Sequence, residues 1–162
     1  MKKLNLFSIL TACAMVFSLS FVACGNGETE KSDEEKKDLL LDMEDEVMQV
    51  HDEVMPLTNE LRGAANQLRA YLQERGEELD DATRDEINDL IERLEEADGN
   101  MFDWMGEWAD TDRDNFDFEE AEEYYRDQKE EIDEIAEDMR SSLDEAKMFL
   151  SNLNQRDEAD DQ

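Results

Sequence analysis

Three residues in one short run are spaced for soft-metal chemistry. Met48, His51 and Met55 fall at i, i+3 and i+7, so on a helix their side chains share one flank. His51 is the only histidine in the sequence. A second run carries Met101, Trp104, Met105 and Trp108. If the helices bearing these runs fold back about a turn near Glu78, residue 55 comes level with residue 101 and residue 51 with residue 105. Tyr124 and Tyr125 on a third helix reach the same level. Thioether sulfur with imidazole is a ligand set for Cu(I), and it survives an oxidising compartment better than thiols do. The indole faces of Trp104 and Trp108 can cap a cation. The plainer reading of the same residues is core packing, because Met and Trp at heptad positions fill a core before they bind anything. The primary expectation is therefore no cofactor, with Cu(I) as the alternative.

A second constellation is Asp110, Asp112 and Asp114, the D-x-D-x-D opening of a calcium loop between two helical stretches. Asn115 stands where that loop wants glycine, and Ala121 where it wants a bidentate Glu. A weak Ca²⁺ site is one reading and an acidic turn is the other. No enzyme is expected. His51 stands alone, so there is no Ser-His-Asp or Cys-His set, and neither a glycine-rich phosphate loop nor H-E-x-x-H occurs. Carboxylates abound, but on solvated helix faces where no tuned acid or base is expected.

The N-terminus gives an address. Lys2 and Lys3 precede an apolar stretch from Leu4 to Val22, and Phe21-Val22-Ala23-Cys24-Gly25 closes it. This order resembles a bacterial lipoprotein signal peptide with its lipobox. The resemblance implies cleavage before Cys24 and acylation of its thiol and its new amine. Several acyl chains, at about 0.8 kcal/mol per buried methylene, would anchor the chain stably to a membrane. An uncleaved signal-anchor helix is the alternative. Cys13 would be lost with residues 1–23, leaving a mature chain of 139 of the 162 residues with no disulfide. Gly25, in place of an Asp, points to the outer membrane, on its periplasmic or its surface face.

Composition excludes one class of partner. The 48 acidic residues outnumber the 16 Lys and Arg, for a net charge of −32. Such a chain has no basic surface for phosphates, so nucleic acid is not a partner. The acids are spread over all segments, which fits a solvated surface suited to high salt. Divalent cations and a basic protein are the other expected partners.

The elements that must position these residues follow from periodicity. Apolar residues alternate at spacings of three and four through Leu40, Met43, Val47, Val50, Val54, Leu57, Leu61, Ala64, Leu68 and Tyr71. The pattern returns through Ile87, Leu90, Leu94, Ala97, Met101, Trp104 and Trp108, and again from Ala121 through Tyr125, Gln128, Ile132, Ile135, Met139, Ser142, Ala146 and Phe149 to Leu153. A repeat of 3.5 residues means helices packed with a left-handed supercoil. Ser32 with Glu35, Thr83 with Glu86, and Asp117 with Glu120 have capping-box spacing. Gly76 suits the end of the first helix. Short connections force antiparallel neighbours. The expected fold is all-α: an up-down-up antiparallel three-helix bundle, its long first helix kinked near Pro56. The expected divisions are a signal peptide over 1–23, a lipidated polar tether over 24–32, the bundle over 33–155 and a disordered acidic tail over 156–162.

The run Met48-Gln49-Val50-His51-Asp52-Glu53-Val54-Met55-Pro56, with Met101-Phe102-Asp103-Trp104-Met105, resembles a family of short bacterial helical lipoproteins. Its members carry a similar H-D/E-E-V-M-P turn followed by an M-x-x-W-M segment, and are often labelled viral A-type inclusion proteins. The resemblance implies a helical envelope lipoprotein and brings no catalytic residues. The function expected is a non-enzymatic, membrane-anchored binding or spacer module.

Overall fold

The computed structural model describes residues 31–160, and all of its regular structure is helical. The expected leader, its expected cleavage site and Cys24 lie outside the described residues. Four α-helices follow in order: α1 (Asp33–Val54), α2 (Leu57–Arg75), α3 (Asp81–Asp110) and α4 (Phe118–Asp160), with a 3₁₀ turn at Arg113–Asn115 before the last.

Local chemistry sets these boundaries. Ser32 caps α1: its Oγ accepts from the Glu35 N–H at 3.3 Å, and the Glu35 carboxylate accepts from the Ser32 N–H at 2.8 Å. The Ser32 N–H and hydroxyl both donate to that carboxylate and hold it below its usual value. Asp117 and Glu120 make the same reciprocal pair at the start of α4. The cap of α3 is not at Thr83. Asp80 takes that place and accepts from the Thr83 N–H at 2.8 Å, because an aspartate already stood at the N-cap one turn earlier. Helix α3 runs unbroken through Gly99-Asn100. Helix α4 continues to Asp160, so residues 156–160, expected as a disordered tail, are helical. Tyr71 and Arg75 of α2 reach Asp157 there, at 3.3 and 3.4 Å.

Between α1 and α2 the helix is interrupted at Met55-Pro56. Proline has no N–H to give the Asp52 carbonyl. The turn is held by Thr58, which is buried and donates from Oγ1 to the Met55 carbonyl at 2.9 Å.

Direction can be read from the ion pairs between helices. Glu53–Arg140 and Glu60–Lys147, both 2.7 Å, are each 87 residues apart, so α1 and α2 run the same way as α4. Arg62–Asp98 at 2.9 Å and Arg69–Glu95 step in opposite directions along α2 and α3, so those helices are antiparallel. One apolar core links all four helices, from Val47 and Val54 through Leu61, Leu68, Ile87 and Leu94 to Ile132, Met139 and Leu153. Nearly every heptad position expected to face inward does so. The backbones of α2 and α3 come close past buried Ala64, Ala65 and Ala97, whereas α1 lies against α4 and approaches α3 much less.

Candidate functional site

Beyond Pro56 the space between α1 and α3 is filled by rings. The His51 imidazole lies 5.8 Å from the Trp104 indole, centroid to centroid. Trp104 stacks on Trp108 at 5.3 Å, and Trp108 on Tyr124 at 5.9 Å. Tyr125 and Phe116 complete the ladder toward the start of α4. The sequence brought these residues, Phe116 excepted, to one level, and the fold brings their rings into contact.

Each candidate ligand has a definite place. Trp104 is only 2% exposed, and its Nε1 has no hydrogen-bond partner among the described residues. Met101 is fully buried in the core. Met48, Met55 and Met105 are partly buried and pack against that core. The His51 side chain is 13% exposed, and its Nδ1 lies 2.9 Å from Asp52 Oδ1. A carboxylate only accepts, so Nδ1 is the donor in this contact.

One reading meets a contrary arrangement, and another a competing contact. Among the described residues no group of three or more His, Cys, Asp or Glu side chains gathers where an ion could sit, so Asp110, Asp112 and Asp114 do not assemble a calcium loop. Asp110 ends α3, Asp114 sits in the 3₁₀ turn, and Asp112 accepts instead from Asn115 Nδ2 at 2.8 Å. The competing contact is at Trp108. Its face already carries a cation from its own chain, the Arg113 guanidinium at 4.4 Å. Arg113 also donates to the Trp108 carbonyl at 2.8 Å. The signal for this was present in the sequence: a lone cation in an acidic loop just past a helix C-terminus is drawn to the orphan carbonyls there.

Beside the ladder, a surface groove of about 450 Å³ runs between α1 and α4, floored by Met43 and Tyr125 and edged by Glu46, Lys129, Glu130 and Glu137. Burial pushes the Tyr125 phenol above its usual value, and the neighbouring Glu44 carboxylate adds to the shift. The ends of α1 and α4 are clamped where Lys31 and Lys36 flank the Phe118 ring at 5.7 and 5.1 Å.

No known family, curated protein or solved structure matches the chain.

Proposed function

We propose that the chain is a lipid-tethered, non-enzymatic module of the cell envelope, serving as a binding or spacer element. Its body is read as an up-down-up three-helix bundle with left-handed heptad packing, the first arm being α1 and α2 kinked at Pro56. The observation that carries the reading is the short interval between address and body. Only residues 25–31 separate Cys24 from Ser32, which caps α1. A cleaved and acylated chain would thus pass almost at once from membrane anchor to helix. A helix of 43 residues such as α4 spans roughly 65 Å at about 1.5 Å per residue, a useful reach for a spacer. The likeness of the two methionine-rich runs to short helical lipoproteins supports the same reading, and Gly25 favours the outer membrane. The partner chemistry suited to a chain of net charge −32 is a basic protein segment.

The test is metabolic labelling with a radioactive fatty acid in a two-membrane bacterial host. The wild-type chain is expected to carry label and to sediment with membranes. Cys24→Ser is expected to carry none and to keep its leader. A wild-type chain that stays unlabelled overturns the proposal.

A further inference from the structure

We propose that the groove between α1 and α4 docks a basic amphipathic helix of a partner protein, whose apolar face covers Met43 and Tyr125 and whose lysines or arginines meet Glu46, Glu130, Glu134 and Glu137. The proposal rests on the reading of the chain as a binding module for a basic segment, and adds where that segment sits and what form it takes. It does not depend on acylation of Cys24.

The floor of the groove is apolar and its walls are charged. Helix α1 rests chiefly on α4, and side chains of both line the groove of about 450 Å³. That volume lies within the range of ligand-binding clefts, about 300–1,000 Å³. Met43 is partly buried and Tyr125 is only 8% exposed, so the floor offers apolar surface that another chain can finish covering.

The cations of the groove are already taken. Lys129 pairs with Asp133, and Arg126 with Glu122 at 3.0 Å, each one turn away on α4. Glu46, Glu130, Glu134 and Glu137 are exposed and make no ion pair among the described residues. Glu130, Glu134 and Glu137 fall at i, i+4 and i+7, a stripe about 10 Å long at 1.5 Å per residue. Glu46 stands on the α1 wall.

This layout selects the occupant. Among the described residues no three carboxylates gather where one ion could sit, so the charges do not suit a metal. They suit cations strung along a chain. A helix repeats its side chains with the same rise as α4, so lysines at i, i+4 and i+7 of a partner match the stripe. Its neighbouring flank then turns apolar residues to the floor. A second copy of this chain is a poor occupant, because 48 acids against 16 bases make two copies repel. The carboxylates steer and orient a basic helix, and burial of the floor holds it.

The test uses the full chain in uncharged detergent and a rhodamine-labelled helical peptide of Leu, Lys and Ala. The peptide has roughly 18 residues, about five turns, with an apolar face flanked by lysines. Anisotropy at low salt reads binding, against a baseline in detergent alone. A peptide of the same composition, scrambled to remove the apolar face, is expected to bind about tenfold more weakly or worse. The triple variant Glu130→Gln, Glu134→Gln, Glu137→Gln is expected to weaken binding of the amphipathic peptide about tenfold. Glutamine keeps the size and helix propensity of glutamate, so helicity by circular dichroism stays at the wild-type level. Glu86→Gln, Glu92→Gln, Glu96→Gln removes the same charge from exposed positions of α3 that make no ion pair, and is expected to change binding less than about twofold. Met43→Gln, which makes the floor polar, is expected to weaken binding about threefold or more. Equal losses from the two triple variants would mean attraction to the acidic surface at large; that overturns the groove and leaves the basic-partner reading standing. A scrambled peptide that binds as tightly, or Met43→Gln that binds like wild type, also overturns the groove. A chain that binds neither peptide overturns the groove and the basic-partner reading together.

Discussion

Arg140 on α4 holds Glu53 on α1 at 2.7 Å, and Lys147, seven residues further along α4, repeats the same 87-residue span to Glu60 on α2 at 2.7 Å. Seven residues is one heptad, so the scarce cations mark the register of the packed seams. Arg93 plays the same part between α3 and α4, reaching Glu145 at 2.6 Å.

These pairs are exposed, so they set register more than they add stability. Arg140→Ala is expected to cost less than about 1 kcal/mol in urea unfolding. The larger electrostatic term is repulsion among 48 acids against 16 bases. Shortening the Debye length from about 10 Å to about 3 Å, by going from 0.1 to 1 M salt, screens that repulsion. The melting temperature is therefore expected to rise with NaCl. A melting temperature that falls with salt would show that the ion pairs dominate instead.

Trp104 is a core residue whatever else it does. Trp104→Ala is expected to cost about 3–5 kcal/mol, the range for emptying a large buried site. Phe102, two residues earlier and 40% exposed, serves as the control, and its alanine variant is expected to stay within about 0.5 kcal/mol of wild type. Equal losses from the two, by chemical denaturation, would count against the packing described.

Two glycines should respond in opposite senses. Gly99 lies inside α3, and a Cβ there meets nothing within 4 Å. Gly99→Ala is expected to stabilise by about 0.5–1 kcal/mol, since alanine loses less entropy in a helix. At Gly76, which ends α2, a Cβ would run into the Leu72 carbonyl oxygen. Gly76→Ala is expected to destabilise. Matched urea midpoints for the pair would refute the contrast.

Acid should release the cap of α3. The Thr83 N–H holds the Asp80 carboxyl below its usual value. A depressed folded value means that the cap's pH-linked stability is present above the unfolded value of about 3.9 and is lost as pH falls through the folded one. Asp80→Asn keeps a side-chain acceptor at the N-cap and does not titrate. Between about pH 5 and pH 2 the wild type is expected to lose more stability than the variant. Superimposable acid limbs would show that the cap charge contributes nothing.

Much of the site was legible because its helices are regular. Met48, His51 and Met55 share a flank by spacing alone, and a short turn after Arg75 brings α3 back beside them. The caps at Ser32 and Asp117 were equally readable, since both are side-chain bonds to a backbone three residues away. Asp80 was not, because three candidate caps stand within four residues and only the start of the helix chooses among them. The inward flank positions Thr58, Ile91, Ala136 and Leu143 also escaped the heptad pattern. Whether a flanking residue is covered depends on the neighbouring helix, and periodicity within one helix carries no information about that.

The sequence by itself determined the all-α class and most of the buried seam, because these rest on hydrophobic period and capping chemistry. Only the tertiary structure decided that Arg113 covers Trp108, that Asp112 turns to Asn115, and that His51 meets Trp104 while its other edge faces Asp52. Those are choices among near-equal partners. The first two are settled within the turn that follows α3, and the third by the packing of α1 and α3 on α4.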